Sequence, residues 1–159
     1  MKKINVIRIV AMVILFSINS VTAQSDKKHS DSADTVFGRG AKINNGNFTG
    51  TAYLKMLIDA DKDNPITAGN VTFEPGARTK WHLHPAGQII LAIDGKGYYQ
   101  EKGQPKRVVH KGDVIKCLPN IEHWHGASED NYFVQIAVGS NEKGAVIWLA
   151  PVTDEEYYK

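Results

Sequence analysis

Apolar residues in this chain come in short runs that alternate with polar ones, and Gly, Pro, Asn and Asp break the runs at regular intervals. Read with a period of two, they predict strands over 51–58, 70–74, 79–84, 88–93, 97–101, 107–110, 113–118, 132–138 and 145–149. Turn chemistry separates them at Pro75-Gly76, Asp94-Gly95-Lys96-Gly97, Gly103-Gln104-Pro105, Lys111-Gly112 and Lys143-Gly144. No long segment of helical periodicity follows residue 23, but Thr153 and Glu156 have capping-box spacing for a short C-terminal helical turn. Many short strands joined by tight turns predict an all-β sandwich or barrel, with no internal repeat and no second domain.

The first residues follow another pattern. Lys2, Lys3 and Arg8 precede an apolar run over 9–16, and Val21-Thr22-Ala23 supplies small residues before Gln24. These are the three parts of a cleavable signal peptide, and the run is far short of the ~20 apolar residues that a spanning helix needs. No cysteine follows the run to accept a lipid. The expected division is a signal peptide over 1–23, a disordered polar leader over 24–36 containing an inert His29, and one domain over 37–159. The expected location is periplasmic or secreted, with no stable membrane anchor after cleavage.

Loss of residues 1–23 removes three positive charges and no negative ones, so the formal charge falls from +2 to −1. That leaves no basic footprint for nucleic acid. Cys117 is the single cysteine, which excludes an intramolecular disulfide and suits a small buried side chain.

Histidine spacing carries the chemistry. Side chains two apart on a strand share a face, so His82 and His84 project together while Trp81 and Leu83 point the other way. Pro85-Ala86-Gly87 makes a turn, and Gln88 opens the returning strand, where its amide oxygen can close on the same point. Further imidazoles are offered by Glu122-His123-Trp124-His125-Gly126, again with one-face spacing, after the turn signal Leu118-Pro119-Asn120. Two His-x-His pairs beside turns in one small domain point to a metal site rather than to several unrelated core histidines. His110, at a strand end, is expected in solvent.

The spacing Gly76, His82, His84, Gln88, Gly95 resembles the first cupin motif, with Gln88 where most cupins carry Glu. The run from Gly112-Asp113 to His123 resembles the second, with Pro119 one place late and Asn120 in place of Gly. More narrowly, Asn47-Phe48-Thr49-Gly50-Thr51, the stretch over 71–79, Trp81-His82, His84-Pro85, Gly87-Gln88, His123-Trp124-His125-Gly126-Ala127 and Pro151-Val152-Thr153-Asp154-Glu155 resemble small bacterial cupins related to manganese-dependent (R)-hydroxynitrile lyases. The resemblance spans roughly residues 38–157. It implies a cupin double-stranded β-helix, the jelly-roll barrel, and a homodimer.

It also implies one divalent metal ion on His82, His84, Gln88 and His123, with His125 beside it as proton carrier or hydrogen-bond donor. Manganese follows from the resemblance alone; imidazole and amide oxygen would equally accept iron, zinc, nickel or copper. With a neutral amide in place of carboxylate, the ion's charge is uncompensated, which sharpens its Lewis acidity. By analogy, Phe48, Val71, Phe73, Thr79 and Ile90 surround the ion as an apolar pocket.

The activity so implied is metal-assisted cleavage of a C–C bond in cyanohydrin-like substrates. Where the resemblance implies another active-site histidine, this chain has Gln135, and an amide is no general base near neutral pH. A cupin dioxygenase and a non-catalytic module for a small ligand are the alternatives.

Overall fold

The computed structural model describes residues 36–159, so the predicted signal peptide and all but the last residue of the predicted leader lie outside the described residues. Among the described residues twelve strands are present: β1 Ala41–Lys42, β2 Phe48–Thr49, β3 Ala52–Ile58, β4 Ile66–Phe73, β5 Arg78–Thr79, β6 His82–Leu83, β7 Gln88–Glu101, β8 Arg107–His110, β9 Val114–Cys117, β10 His123–Ala127, β11 Phe133–Ser140 and β12 Ile147–Trp148. One helix, α1 Asp154–Tyr158, closes the chain. Among the described residues no helix is long and apolar enough to cross a membrane.

All pairings are antiparallel. One sheet runs β1-β3-β4-β11-β7-β9, and a second contains β8-β7-β10-β5-β2 with β6 between β10 and β12. The two share β7. Its first half pairs with β11 and β9, its second half with β10 and β8, so a single strand turns the corner of the barrel.

Two predictions about strands are overturned here. The segment Asp94-Gly95-Lys96-Gly97 is no turn; it is the corner of a continuous β7, at which Gly95 has φ 78°. A Cβ on Gly95 would lie 2.0 Å from the Tyr132 carbonyl oxygen, so glycine lets two backbones meet where the strand bends. The strand predicted over 79–84 is split into β5 and β6, because the backbone of Lys80 and Trp81 bonds instead to Asn47 and Ala150.

The inner faces of the sheets pack Val71, Phe73, Ile90, Tyr99, Val109, Ile115, Cys117 and Phe133 into the main core. Cys117 is buried and unpaired, and burial pushes its thiol up to about 11. Alternation sends Trp81 and Trp124 to the opposite side, where they meet Tyr98, Val152 and Tyr157 in a second cluster under the C-terminal segment.

Arg78 ties that segment down. Its buried guanidinium donates to the Val152 carbonyl at 3.2 Å, pairs with Asp154 at 2.6 Å and lies 4.5 Å from the centre of the Tyr157 ring. Tyr157 in turn donates its hydroxyl to the Ala127 carbonyl at 2.8 Å. The predicted capping box is present, Thr153 accepting from the Glu156 amide and Glu156 from the Thr153 amide. Tyr157→Ala should cost about 3–5 kcal/mol by emptying this cluster, read as a shift in the urea midpoint; an unchanged midpoint would show that the clasp contributes nothing to stability.

Candidate metal centre

β6 and β10 run side by side in a register that sets His82 directly opposite His123. The strand period then puts His125 on the same face as His123. Each of the two paired rings is aimed from behind by a carbonyl: His82 Nδ1 lies 2.9 Å from the Lys80 oxygen and His123 Nδ1 lies 2.9 Å from the Ile121 oxygen. A carbonyl only accepts, so both rings carry their proton on Nδ1 and turn a bare Nε2 inward.

Ring centres lie 4.3 Å apart for His82 and His123, 5.2 Å for His82 and His125, and 5.3 Å for His82 and His84. Ligand atoms of His82, His123 and His125 all fall within 4.8 Å of one another, near enough to share one metal ion. Gln88, at the start of β7, places Oε1 3.2 Å from His123 Nε2.

Local sequence explains why these loops meet. Asn120, replacing the usual glycine, has φ 62°, a left-handed conformation that asparagine tolerates better than most residues. Its amide donates to the His84 carbonyl at 3.0 Å, as does the amide of Gly87. The turn after His84 and the turn before His123 are thereby stitched through one oxygen.

Burial holds the rings neutral. Desolvation lowers His82 and His125 well below the usual histidine value, with neighbouring histidines adding to it, and lowers His123; it brings His84 down to about 4, with His123 the second cause. Neutral imidazole is the ligating form.

A divalent ion fits this arrangement. His123 Nε2 and Gln88 Oε1 are two lone-pair acceptors facing each other at 3.2 Å, and the buried His84 Nε2 and both nitrogens of His125 lack a hydrogen-bond partner. A cation satisfies such converging acceptors, whereas a purely structural packing would leave them desolvated and unpaired. Of the set the cupin resemblance implies, His82 and His123 belong to the close group and Gln88 reaches His123, whereas His84 stands outside the group, its ring 5.3 Å from that of His82, and His125 takes the third place.

A cavity of about 220 Å³ opens over the cluster. Of the predicted pocket residues, Phe48, Val71 and Thr79 line it, while Phe73 and Ile90 are packed in the core behind the wall. Phe73 touches the site only indirectly, edge-on to the His125 ring at 5.8 Å. Gln135 is fully buried, opposite Val71 on β4, so it faces the same interior; both of its amide atoms are unpartnered. His110 is exposed and remote from the cluster by sequence and strand.

Eight wall residues escaped the sequence reading, and two of them are large side chains from distant strands. Met56 comes from β3 and Trp148 from β12, where Trp148 pairs directly opposite His82. No local pattern marks them, because a long-range pairing brings them in.

The fold and site are those of cupins. Residues 69–139 match the family described as Cupin domain. The chain is 40% identical over 111 residues to the (R)-mandelonitrile lyase of Granulicella tundricola, covering 69% of this chain and 85% of the relative. It therefore belongs to the cupin family.

A crystal structure of a cupin-like protein from Thermotoga maritima superposes with a TM-score of 0.74 at 46% identity, covering 78% of this chain and 95% of the other. The DMSP lyase DddQ of Ruegeria pomeroyi shares the fold alone, with a TM-score of 0.55 at 19% identity over 65% of this chain and 54% of its own.

Replacing His82 or His123 with alanine should abolish stoichiometric metal, whereas His125→Ala should retain it with affinity weakened at most about 10- to 100-fold. Elemental analysis of the three purified variants decides this; equal loss in all three would instead make His125 a ligand.

Proposed function

We propose that this protein is an exported, metal-dependent cupin lyase that cleaves cyanohydrin-like substrates into a carbonyl compound and hydrogen cyanide. The single observation that carries the reading is His125: a neutral, fully enclosed imidazole with both nitrogens unpaired, on the same strand face as His123 and lining the cavity. The identity with a mandelonitrile lyase supports it.

The cavity wall contains no Asp, Glu, Lys or Arg. A ligand must then be neutral or carry its developing negative charge against the ion. A divalent metal, proposed to be manganese, would supply Lewis-acid polarisation of the substrate oxygen. His82, His84, Gln88 and His123 would hold it.

His125 accepts the substrate hydroxyl proton as the carbonyl forms. The electron pair of the breaking C–C bond leaves with cyanide, and the proton passes on to give hydrogen cyanide. Phe48, Val71 and the rest of the apolar wall exclude water from the exchange. Gln135, buried without partners on the interior face, can orient a polar group but cannot share the proton transfer.

Wild-type protein should therefore cleave mandelonitrile slowly and Gln135→His should be faster, since general-base catalysis contributes roughly 10²- to 10⁴-fold. The assay is benzaldehyde release by manganese-loaded protein without oxygen, beside His82→Ala. Absence of metal-dependent release from both proteins would overturn the lyase reading; oxygen uptake would then favour a dioxygenase, and capture without turnover a binding module.

For the partner, we propose a second copy docked on the outer face of the β11-β7-β9 sheet, where Ile89 and Val114 are exposed beside Ile136 and Val138. Native mass spectrometry of protein recovered from the periplasm should give a dimer of chains beginning at Gln24. A monomer, or chains keeping Met1, would refute the dimer or the export respectively.

A further inference from the structure

We propose that Trp148 determines the specificity of this cavity, offering its indole face to a planar aryl group on the ligand. The proposal deepens the reading above by naming the part of the site that recognises the ligand's body, and it rests on that cavity being a small-molecule site.

Four observations converge on Trp148. Its indole lies 4.9 Å from the His82 ring, centre to centre, and 5.8 Å from Phe48, so it borders both the histidine end and the apolar end of the cavity. It is only half-buried. The core tryptophans are covered far more completely, Trp124 at 0% and Trp81 at 3% exposure. Finally, β12 is just two residues long and would fray by itself, yet it is held from both sides of Trp81. The Leu149 amide donates to the Trp81 carbonyl at 2.8 Å and the Trp81 amide to Ala150 at 3.1 Å, just before the segment that Arg78 and Tyr157 clasp.

The chain thus anchors Trp148 firmly while leaving it incompletely covered against the site. Flat apolar walls at Trp148 and Phe48, without charged groups, fit an uncharged aromatic ring better than a puckered ring or a flexible chain. The cavity, smaller than the ~300–1,000 Å³ of drug-sized sites, has room for one small substituted ring. An aryl group against the indole leaves its carbonyl or hydroxyl substituent free to reach the histidine cluster.

The test measures binding rather than turnover. Benzaldehyde and cyclohexanecarbaldehyde, equal in carbon count but flat and puckered respectively, are titrated calorimetrically into the purified metal-loaded protein. Wild type should prefer benzaldehyde, and Trp148→Ala should lose about 2- to 12-fold of that preference, the range for aromatic pairing. Trp148→Phe should restore most of it, and metal content should stay unchanged in both variants.

Should Trp148→Ala fail to fold, Trp148→Leu, which fills space without a flat face, should lose the preference likewise. Undiminished preference in the alanine or leucine variant, or equal weakening of both aldehydes, would overturn the proposal and leave Trp148 a structural residue. The two readings fail separately. Ring preference without mandelonitrile cleavage would reject the lyase and keep Trp148 as the determinant; cleavage without ring preference would do the reverse.

Discussion

Convergence of imidazole lone pairs on one buried point is the constraint on which the rest of this structure depends. Neutral nitrogens facing one another in a desolvated space are unfavourable unless something positive lies between them. The chain holds them there by backbone means. Carbonyls of Lys80 and Ile121 take the Nδ1 protons of His82 and His123, and the opposed register of β6 and β10 brings the two rings together. A one-residue slip of β10 would turn His123 and His125 outward and bring Trp124 in. The buried Trp124 cluster on the other side resists that slip, since its alternation is the same one read from the opposite face.

That register is itself set by β7. Because one strand belongs to both sheets, its corner at Gly95 fixes how Gln88, near one end, lies relative to β10, which pairs with the other end. Gln88 reaches His123 from the first half of the strand while Tyr99, in the second half, packs its ring 5.6 Å from the same histidine. The C-terminal segment completes the enclosure from the far side, bonded through Trp81, Arg78 and Tyr157. Stability and site geometry therefore share residues: the strap that buries the second cluster is the strap that carries Trp148.

Electrostatics distinguish this centre from one built with a carboxylate. With Gln88 as the amide neighbour and no charged residue in the cavity wall, the groups facing the cavity leave a divalent charge unoffset, and the carboxylate that acts on the cluster is Glu101, through His123. In the proposed reaction such a centre would favour anionic character developing on a bound oxygen, with His125, held neutral by burial, as the proton acceptor. Gln135 contributes a dipole but no titratable group.

Much of this was legible in the sequence because it is local. Period-two alternation put His82 and His123 on one face and Trp81 and Trp124 on the other, turn residues marked most strand ends, and Thr153 with Glu156 announced the terminal helix. Cupin spacing identified the fold and pointed to His82 and His123, which the fold brings together with His125. Alternation by itself could not say that Asp94 to Gly97 continues a strand, since glycines that make a turn also make a corner, and only the approach of Tyr132 decides between them. Nor could it tell which apolar residues face the cavity: Phe73 and Ile90 withdrew into the core, while Met56 and Trp148 arrived from strands distant in the chain. Facing is a local property of a strand, whereas the contents of a cavity depend on how strands far apart in sequence are paired, and that pairing exists only once the barrel has closed.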